Sequence, residues 1–270
     1  MRTVAVYRPG RAFPSISVTG DRCELLCEHC RGKYLKGMTP TVSPDELISL
    51  AHRIHSEGGT GLLLSGGCDR RGRVPLLPFL PAVREIKNRT ALLVNLHPGM
   101  VDEEEAQAIA ASGADRISFD LVLDEDVLLE RMHLDRGPED NLASFRHLVR
   151  AAPGRVTPHV LLGAGREERE LEAVREACGE NVPCIILLSL LGEKVPDWEG
   201  RLLRAVQEGV RGRRPMLLGC MRPRGRPEVE VAAIEAGAMG IANPSPQAVE
   251  LFRGKGWTVQ ERRTCCALHR

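Results

Sequence analysis

Ser43-Pro-Asp-Glu-Leu-Ile-Ser-Leu-Ala-His-Arg-Ile-His-Ser56 leads through Glu-Gly-Gly-Thr into Gly61-Leu-Leu-Leu-Ser65. Its beginning is a capping box with proline at the first helical position, which predicts a helix over residues 44–56. Gly58 follows at a place where glycine commonly ends a helix. The short apolar run after it has the length of a buried strand. A helix that leads directly into a buried strand is the repeating unit of an α/β fold.

The same alternation of amphipathic stretches and short apolar runs continues along the chain. Parallel strands covered by helices produce this pattern. Eight units predict a closed (β/α)8 barrel of the TIM type, with a doubly wound open sheet as the alternative. In both folds the active site lies at the C-terminal ends of the strands. Strands are predicted over residues 15–19, 61–65, 91–95, 116–120, 157–162, 185–190, 216–219 and 240–242, and helices over 44–56, 76–87, 103–112, 141–151, 167–178, 198–210, 228–236 and 247–253.

Length and composition limit the classes of protein to consider. The chain has 270 residues, a hydrophobic fraction of 43% and a formal net charge of +1. We expect one barrel domain over residues 1–270, with a cysteine-containing tail at about 257–270 that folds over the barrel mouth. The balanced charge indicates neither nucleic-acid nor membrane binding. The N-terminus lacks the apolar segment of a signal peptide, and no apolar run has the length of a spanning helix, so we expect a cytoplasmic protein.

Three of the nine cysteines directly follow the first predicted strand, in the pattern C-x3-C-x2-C. These are Cys23, Cys27 and Cys30. An odd number of cysteines with three clustered does not suggest a disulfide framework. Iron–sulfur clusters usually take four Cys thiolates, so three would leave one iron open for a substrate. The alternatives are a zinc site completed by His29 or a distant ligand, and reactive thiols without a metal.

Glycines and polar residues mark the ends of several other predicted strands. A glycine there lets the backbone approach a ligand closely. An ordinary tight turn, a helix cap, a salt bridge or a core histidine would explain the same residues structurally. The candidate ligand-binding residues are Ser65, Gly66, Gly67, Asn95, His97, Ser118, Asp120, Gly163 and Gly165.

The remaining cysteines fall into two groups. Cys178 and Cys184 look structural, because one lies late in a predicted helix and the other precedes a strand. Cys68 and Cys220 end the second and seventh predicted strands, and Cys265 and Cys266 lie in the tail. If the tail folds over the barrel mouth, these last four cysteines could hold an auxiliary Fe–S cluster. Scattered structural thiols are the alternative.

The cysteine motif after a first barrel strand resembles the cluster loop of the radical SAM superfamily. This resemblance implies a 4Fe–4S cluster on the three cysteines, with S-adenosylmethionine (SAM) on the open iron. The glycine-containing stretch at residues 65–67 would receive the SAM amino group through its backbone. Asp120 would contact the SAM ribose or the substrate, and the turn at residues 163–165 would lie near the adenine. Cys68 and Asp120 are the predicted catalytic residues. His29 and Cys68 depart from the family pattern, which often has an aromatic and an acidic residue there.

From about residue 14 to its end the chain resembles the biotin-synthase-like branch, and in particular the two-component lipoyl synthases of archaea and some bacteria. The resemblance implies sulfur insertion into unactivated C–H bonds of a protein-bound octanoyl chain, with sulfide from an auxiliary 4Fe–4S cluster. It implies a lipoyl carrier protein or peptide as substrate, a paralogous second subunit, and an electron donor such as ferredoxin or flavodoxin. The similarity is carried by residues 17–34, 64–75, 94–97, 118–120, 134–136, 219–223 and 265–266.

Carriers of this kind are often acidic, so basic side chains in the C-terminal third could dock one, although we favour a solvated basic surface as their explanation. Two other functions stay open. One is a non-sulfurating biotin-synthase-like radical enzyme, such as a mutase, a lyase or a cofactor-maturation enzyme. The other is a non-catalytic metal-binding scaffold. The basic side chains that could dock a carrier are Arg211, Arg213, Arg214, Arg222, Arg224 and Arg226.

Overall fold

One all-parallel sheet organises the protein in the computed structural model, which describes residues 2–190 and 195–269. Within these residues the sheet has eleven strands of two to seven residues. They are β1 Thr3–Tyr7, β2 Ser15–Ser17, β3 Thr39–Pro40, β4 Gly61–Ser65, β5 Leu93–Leu96, β6 Arg116–Asp120, β7 Val156–Leu162, β8 Ile185–Ser189, β9 Met216–Leu218, β10 Gly240–Ala242 and β11 Thr258–Arg262.

The strand order is β11-β1-β10-β9-β8-β7-β6-β5-β4-β2-β3. From β4 to β10 the strands are neighbours in both sequence and space, and right-handed crossovers then put the helices on one face. This order excludes the doubly wound alternative, in which the strand order reverses. The barrel prediction is confirmed in part, because the sheet curls into a half-barrel. Within the described residues no ladder joins the edge strands β3 and β11. Instead, the Thr60 hydroxyl donates to the Arg263 carbonyl at 2.7 Å, which links the start of β4 to the end of β11.

The helices follow the predicted pattern with small shifts of their ends. Ser43 caps the first helix by accepting a hydrogen bond from the Glu46 N–H. None of the helices in the described residues is long and apolar enough to cross a membrane. The helices in this part of the chain are α1 Pro44–Ser56, α2 Leu80–Arg89, α3 Glu103–Ala111, α4 Pro138–Ala151, α5 Glu167–Gly179, α6 Trp198–Arg211, α7 Pro227–Glu235 and α8 Pro246–Gly254.

Three strands are absent from the sequence-based prediction. β1 pairs with both β10 and β11, so the N-terminal segment is an inner strand of the sheet. β11 has the polar sequence Thr-Val-Gln-Glu-Arg, which is typical of an edge strand and lacks an apolar signal. β3 has only two residues.

Side chains alternate across the sheet. On β6, Ile117 and Phe119 are buried against the helices. Arg116, Ser118 and Asp120 of the same strand point to the inner face. The outer face therefore forms the apolar core, and the inner face is free to carry polar groups.

The C-terminal tail lies inside the curled sheet. Thr157 Oγ1 donates to the Ala267 carbonyl at 3.1 Å, and Tyr7 Oη lies 2.6 Å from His269 Nδ1. Cys266 and Leu268 are buried there. Burial of these apolar side chains holds the tail against the inner face of the sheet. The prediction that the tail folds over the barrel mouth is therefore wrong. Arg270, the last residue of the predicted tail, lies outside the described residues.

Candidate active site

The motif cysteines lie on the loop that follows β2. The Val18 N–H donates to the Ser65 carbonyl at 2.8 Å, and the Glu24 N–H donates to the Cys68 carbonyl at 2.8 Å. These bonds hold the loop against the end of β4. Leu26 turns the chain with a left-handed φ of 44°. The loop thereby brings its thiols to one apolar cluster, in which Cys27 packs with Leu25, Met100, Val122, Val127, Leu128 and Leu134, and against which Cys23, Cys30 and Cys68 pack.

Gly67 makes this arrangement sterically possible. A Cβ on Gly67 would lie 1.9 Å from the Arg22 carbonyl oxygen and 2.6 Å from Cys23 Cβ. Its N–H also donates to Thr19 Oγ1 at 2.7 Å. The second residue after β4 therefore fixes the position of the first motif cysteine.

The loop after β6 holds the cysteine loop from the other side. The Glu28 N–H donates to the Arg131 carbonyl at 2.9 Å. His133 Nδ1 lies 2.7 Å from the Leu25 carbonyl oxygen, and the Cys27 thiol lies 3.5 Å from the Met132 carbonyl oxygen. Residues Val127–Arg131 form a π-helical turn, a feature frequent at functional sites.

The chemistry of the three thiols fits an Fe–S cluster. Burial, and then the neighbouring charges of Cys23 and Cys30, raise the pKa of Cys27 to about 12. Bound iron supplies the positive charge that allows all three to ionise together. Three thiols on one loop match the donor set of a cluster with one open iron, whereas a structural zinc ion takes four protein ligands.

Two backbone carbonyls just after β4 accept no hydrogen bond from a described residue. Ser65 uses its hydroxyl to donate to the His97 carbonyl at 3.0 Å. Within the described residues no hydrogen bond reaches the carbonyl oxygens of Gly66 and Gly67. Gly67 packs against Arg22 and Cys23, so an ammonium group bound near the cysteine loop could donate to these carbonyls.

His97, Asp120 and His159 meet at the ends of three neighbouring strands. Strand register sets Asp120 beside His159, and His97 directly follows β5. His97 Nε2 lies 3.4 Å from Asp120 Oδ2, and His159 Nδ1 lies 3.4 Å from Asp120 Oδ1. In the part of the chain that the structure describes, this is the one group of three His, Cys, Asp or Glu residues whose ligand atoms all lie within 4.8 Å of one another.

The charges in this group depend on one another. Burial by itself would raise the pKa of Asp120, but both histidines outweigh it and hold that pKa well below its usual range. Burial would lower the pKa of His97, but the Asp120 carboxylate outweighs burial and raises it. Burial dominates at His159 and lowers its pKa. Asp120 is therefore ionised at neutral pH, beside one imidazole that protonates readily and one that stays neutral.

Asn95 and Ser118 lie one inward-facing position below, towards the strand starts. Asn95 Nδ2 donates to Ser118 Oγ at 2.9 Å, and Ser118 Oγ donates to Asn95 Oδ1 at 3.1 Å. Both residues are buried. Asn95 Nδ2 also lies 3.9 Å from the Cys265 sulfur. The pair thus lies between the histidines and the tail, and its contact with SAM stays a prediction.

Gly163 and Gly165 form the turn after β7. Gly163 has a left-handed φ of 82°, and its N–H donates to Glu170 Oε1 at 2.6 Å. A Cβ on Gly165 would lie 2.7 Å from Asp124 Oδ2. The turn therefore packs against the loop after β6, which also contacts the cysteine loop. Its place near an adenine stays a prediction.

The model of the radical SAM superfamily matches residues 17–178, which include the cysteine loop and the strand ends described above. The chain belongs to the radical SAM superfamily. Membership makes it an enzyme whose cofactors are a 4Fe–4S cluster and SAM. The assignment of individual residues to these cofactors stays a prediction. No curated protein sequence is significantly similar to the chain.

Solved structures of radical SAM enzymes share the fold. HydG, a maturase of the [FeFe]-hydrogenase, has 15% identity and a TM-score of 0.65, with 96% of this chain and 64% of HydG covered. Methylornithine synthase (PylB) has 14% identity and a TM-score of 0.64, with 96% of this chain and 84% of PylB covered. SuiB of Streptococcus suis, solved with SAM, has 12% identity and a TM-score of 0.54, with 98% of this chain and 57% of SuiB covered. This chain thus spans less than two thirds of HydG and SuiB, and identities this low establish the fold alone.

In this radical SAM enzyme the four cysteines predicted to hold an auxiliary cluster lie in separate places. Cys68 packs with the motif cysteines. Cys266 is buried on the inner face beside Cys184, and Cys265 packs against the same group. Cys220 lies in the loop after β9 and is exposed. The structure therefore does not bring Cys68 together with the tail cysteines.

The basic residues proposed for carrier docking are also dispersed. Arg222 is 1% exposed and is paired with Glu230, so it cannot contact a carrier. Arg226 pairs with Glu199 on the surface. Docking by the remaining arginines stays a prediction.

Sequence reasoning missed His159 and Cys184 as members of these groups. His159 lies within a strand, three residues before its end, and only the pairing of β6 with β7 sets it beside Asp120. The sequence feature that could have identified it is a histidine within an otherwise apolar inner strand. Cys184 precedes β8, and only the inward course of the tail gives it a cysteine neighbour.

Proposed function

We propose that this radical SAM enzyme inserts sulfur into an unactivated C–H bond of an octanoyl chain on a lipoyl carrier protein or peptide, together with a paralogous subunit. Cys23, Cys27 and Cys30 would hold the cluster. The cluster, once reduced by a ferredoxin or flavodoxin, supplies the electron that splits SAM into methionine and a 5′-deoxyadenosyl radical.

The protein's own groups would orient SAM. The carbonyls of Gly66 and Gly67, which accept no hydrogen bond from any described residue, would accept the amino group. Asp120 would face the ribose or the substrate, and the turn at Gly163 and Gly165 would border the adenine. The apolar residues around the cysteine loop would exclude water, so that the radical meets only the substrate.

The observation that carries the sulfur-insertion step is the position of Cys265. It lies on the inner face, 3.9 Å from Asn95 Nδ2. The Cys266 thiol and Asn95 donate towards it and lower its pKa, which favours the thiolate form of a metal ligand. A chain lying between SAM at the mouth and a sulfur centre at Cys265 would lose hydrogen on one side and gain sulfur from the other. The auxiliary 4Fe–4S cluster would then use Cys220, Cys265 and Cys266 rather than Cys68.

The test is anaerobic iron and sulfide quantitation with Mössbauer spectroscopy on the full chain. We expect about eight irons in the wild type and about four in each of two variants, Cys23/Cys27/Cys30→Ala and Cys220/Cys265/Cys266→Ala. Cys178→Ala is the matched control, because this thiol lies on α5 away from both groups, and it should keep about eight irons. Octanoyl peptide supplied with SAM, reductant and the paralogous subunit should gain sulfur with the wild type and with Cys178→Ala, and with neither of the two triple variants.

A second candidate is a non-sulfurating radical SAM enzyme, such as a mutase or a maturation enzyme. The separation of Cys68 from the tail cysteines favours it. In that case the wild type would contain about four irons, lost only when the motif cysteines are replaced. 5′-Deoxyadenosine would form while the peptide gained no sulfur.

A further inference from the structure

His97, Asp120 and His159 form a converging donor set that SAM cleavage by the cysteine-bound cluster does not require. Each carboxylate oxygen faces a different imidazole nitrogen, Oδ2 towards His97 Nε2 and Oδ1 towards His159 Nδ1, both at 3.4 Å. The two rings stand at 88° to each other with centroids 5.6 Å apart, so they meet at the carboxylate without stacking.

The distances suit ligands around an ion better than a direct hydrogen bond. Charge-assisted N–H···O bonds are about 2.7–2.9 Å long. Donor atoms about 2.1 Å from a tetrahedral ion lie about 3.4 Å from one another. The two separations of 3.4 Å go to different oxygens of the carboxylate, and ligand atoms of all three residues lie within 4.8 Å of one another, which leaves room for one ion between them.

The surroundings leave one side of the group open. Below it, Asn95 and Ser118 bond to each other and line the floor. The Asp120 side chain keeps 45% of its surface accessible, compared with 23% for His97 and 13% for His159. The histidines are therefore held by the protein while the carboxylate faces free space, as an ion with open coordination positions needs.

We propose that His97 Nε2, Asp120 and His159 Nδ1 bind one divalent metal ion of the borderline class, such as Zn²⁺ or Fe²⁺. Two histidines and one carboxylate suit these ions and leave positions for an oxygen or nitrogen donor of a substrate. The site is distinct from the cysteine-bound cluster. It also gives Asp120 a role other than contact with the SAM ribose, and the two roles are alternatives that the following experiment separates.

The test uses Co²⁺ as the probe ion on the full chain with its clusters reconstituted anaerobically and loose ions removed by brief chelation. The oxidised 4Fe–4S cluster is diamagnetic, so high-spin Co²⁺ is visible by electron paramagnetic resonance. Cobalt is counted by mass spectrometry after desalting. We expect about one Co²⁺ per chain, and at least about tenfold weaker binding in each of His97→Ala, Asp120→Asn and His159→Ala.

Two controls locate the ion. His52→Ala/His55→Ala removes two exposed histidines of α1 and should leave cobalt binding unchanged. Cys220→Ser/Cys265→Ser should leave it unchanged as well. Absence of cobalt from the wild type, unchanged binding in His159→Ala, or loss of binding in the cysteine variant would each overturn the proposal. 5′-Deoxyadenosine formation, measured on the same wild-type sample, reports separately on SAM cleavage.

Discussion

At the scale of single residues, Gly67 has no room for a side chain. We expect Gly67→Ala to lower the iron content at the cysteine motif and to cost about 1–3 kcal/mol of stability, because the new Cβ would lie 1.9 Å from the Arg22 carbonyl oxygen. Iron quantitation and thermal unfolding measure both effects. Gly66→Ala is the matched control, since its nearest contacts are side-chain atoms of Thr19 and Val18 at 3.1–3.2 Å. Equal iron content in the two variants would contradict this account.

Asp124 gives a prediction about pH. Burial by itself would raise its pKa, but hydrogen bonds from Arg166 outweigh burial and lower it. A carboxyl whose folded pKa lies below its unfolded value stabilises the protein above the unfolded pKa, and this contribution is lost as pH falls through the folded pKa. The Arg166 N–H and Nε donate to it at 2.8 and 3.0 Å. Asp124→Asn should therefore cost about 1–2 kcal/mol near neutral pH, a figure reduced for the exposure of Arg166.

The measurement for Asp124 is urea unfolding of wild type and variant at about pH 7 and about pH 3.5. We expect the difference in the free energy of unfolding to narrow at the lower pH, since the wild-type carboxyl begins to protonate in the unfolded chain, where its pKa is higher. Glu125→Gln, on the neighbouring exposed residue, should be close to wild type at both. A difference that does not depend on pH would show that the Asp124 charge is unimportant.

At the scale of elements, Arg222 and Glu230 connect two strand ends to α7. Arg222 Nη1 donates to the carbonyls of Gly219 and Ala242, both at 2.6 Å. Its Nη2 lies 2.5 Å from Glu230 Oε1. The loops after β9 and β10 are thus fixed by one buried cation, and its only described anionic partner within salt-bridge distance is on α7.

We expect Glu230→Gln to lower the free energy of unfolding by about 3 kcal/mol, because it leaves the Arg222 charge buried without its partner. Chemical denaturation measures this change. Glu235→Gln is the control from the same helix, because Glu235 pairs with Lys255 on the surface and such pairs contribute about 0–1 kcal/mol. Similar losses in the two variants would contradict a special role for the buried pair.

At the scale of the whole molecule, the tail connects strands that are distant in sequence. It touches β1 through Tyr7 and β7 through Thr157, and it buries Cys266, Ala267 and Leu268 within the half-barrel. A chain ending after Arg262 would lose these contacts and leave the inner face open to water. The free edges of the sheet would then be joined less firmly, since Arg263 also receives the Thr60 hydrogen bond.

We expect truncation after Arg262 to cost at least about 3 kcal/mol, mainly from burial of the Leu268 and Cys266 side chains. Thermal unfolding and binding of an apolar dye measure the loss and the exposed inner face. Leu251→Ala removes an exposed leucine from α8 and should leave both unchanged within error. A truncated chain that unfolds at the wild-type temperature would show that the tail is not structural.

The repeating units and the cysteine loop were predictable because their signals are local. Capping at Ser43, helix-ending glycine at Gly58 and short apolar runs are read within a few residues of the chain. β11 and the tail gave no such signal. The Thr258–Arg262 segment is polar, and it is a strand only because β1 offers it an unpaired edge.

The sequence by itself determined the superfamily, the eight strand–helix units and the motif Cys23, Cys27 and Cys30, because three cysteines on one short loop stay together however the rest folds. Only the tertiary structure decided which distant residues share the inner face. Strand register brought His159 to Asp120. The inward course of the tail separated Cys265 and Cys266 from Cys68. Contacts of this kind depend on how the strands are paired and on where the tail finds apolar surface to bury, and neither is encoded in the spacing of residues along the chain.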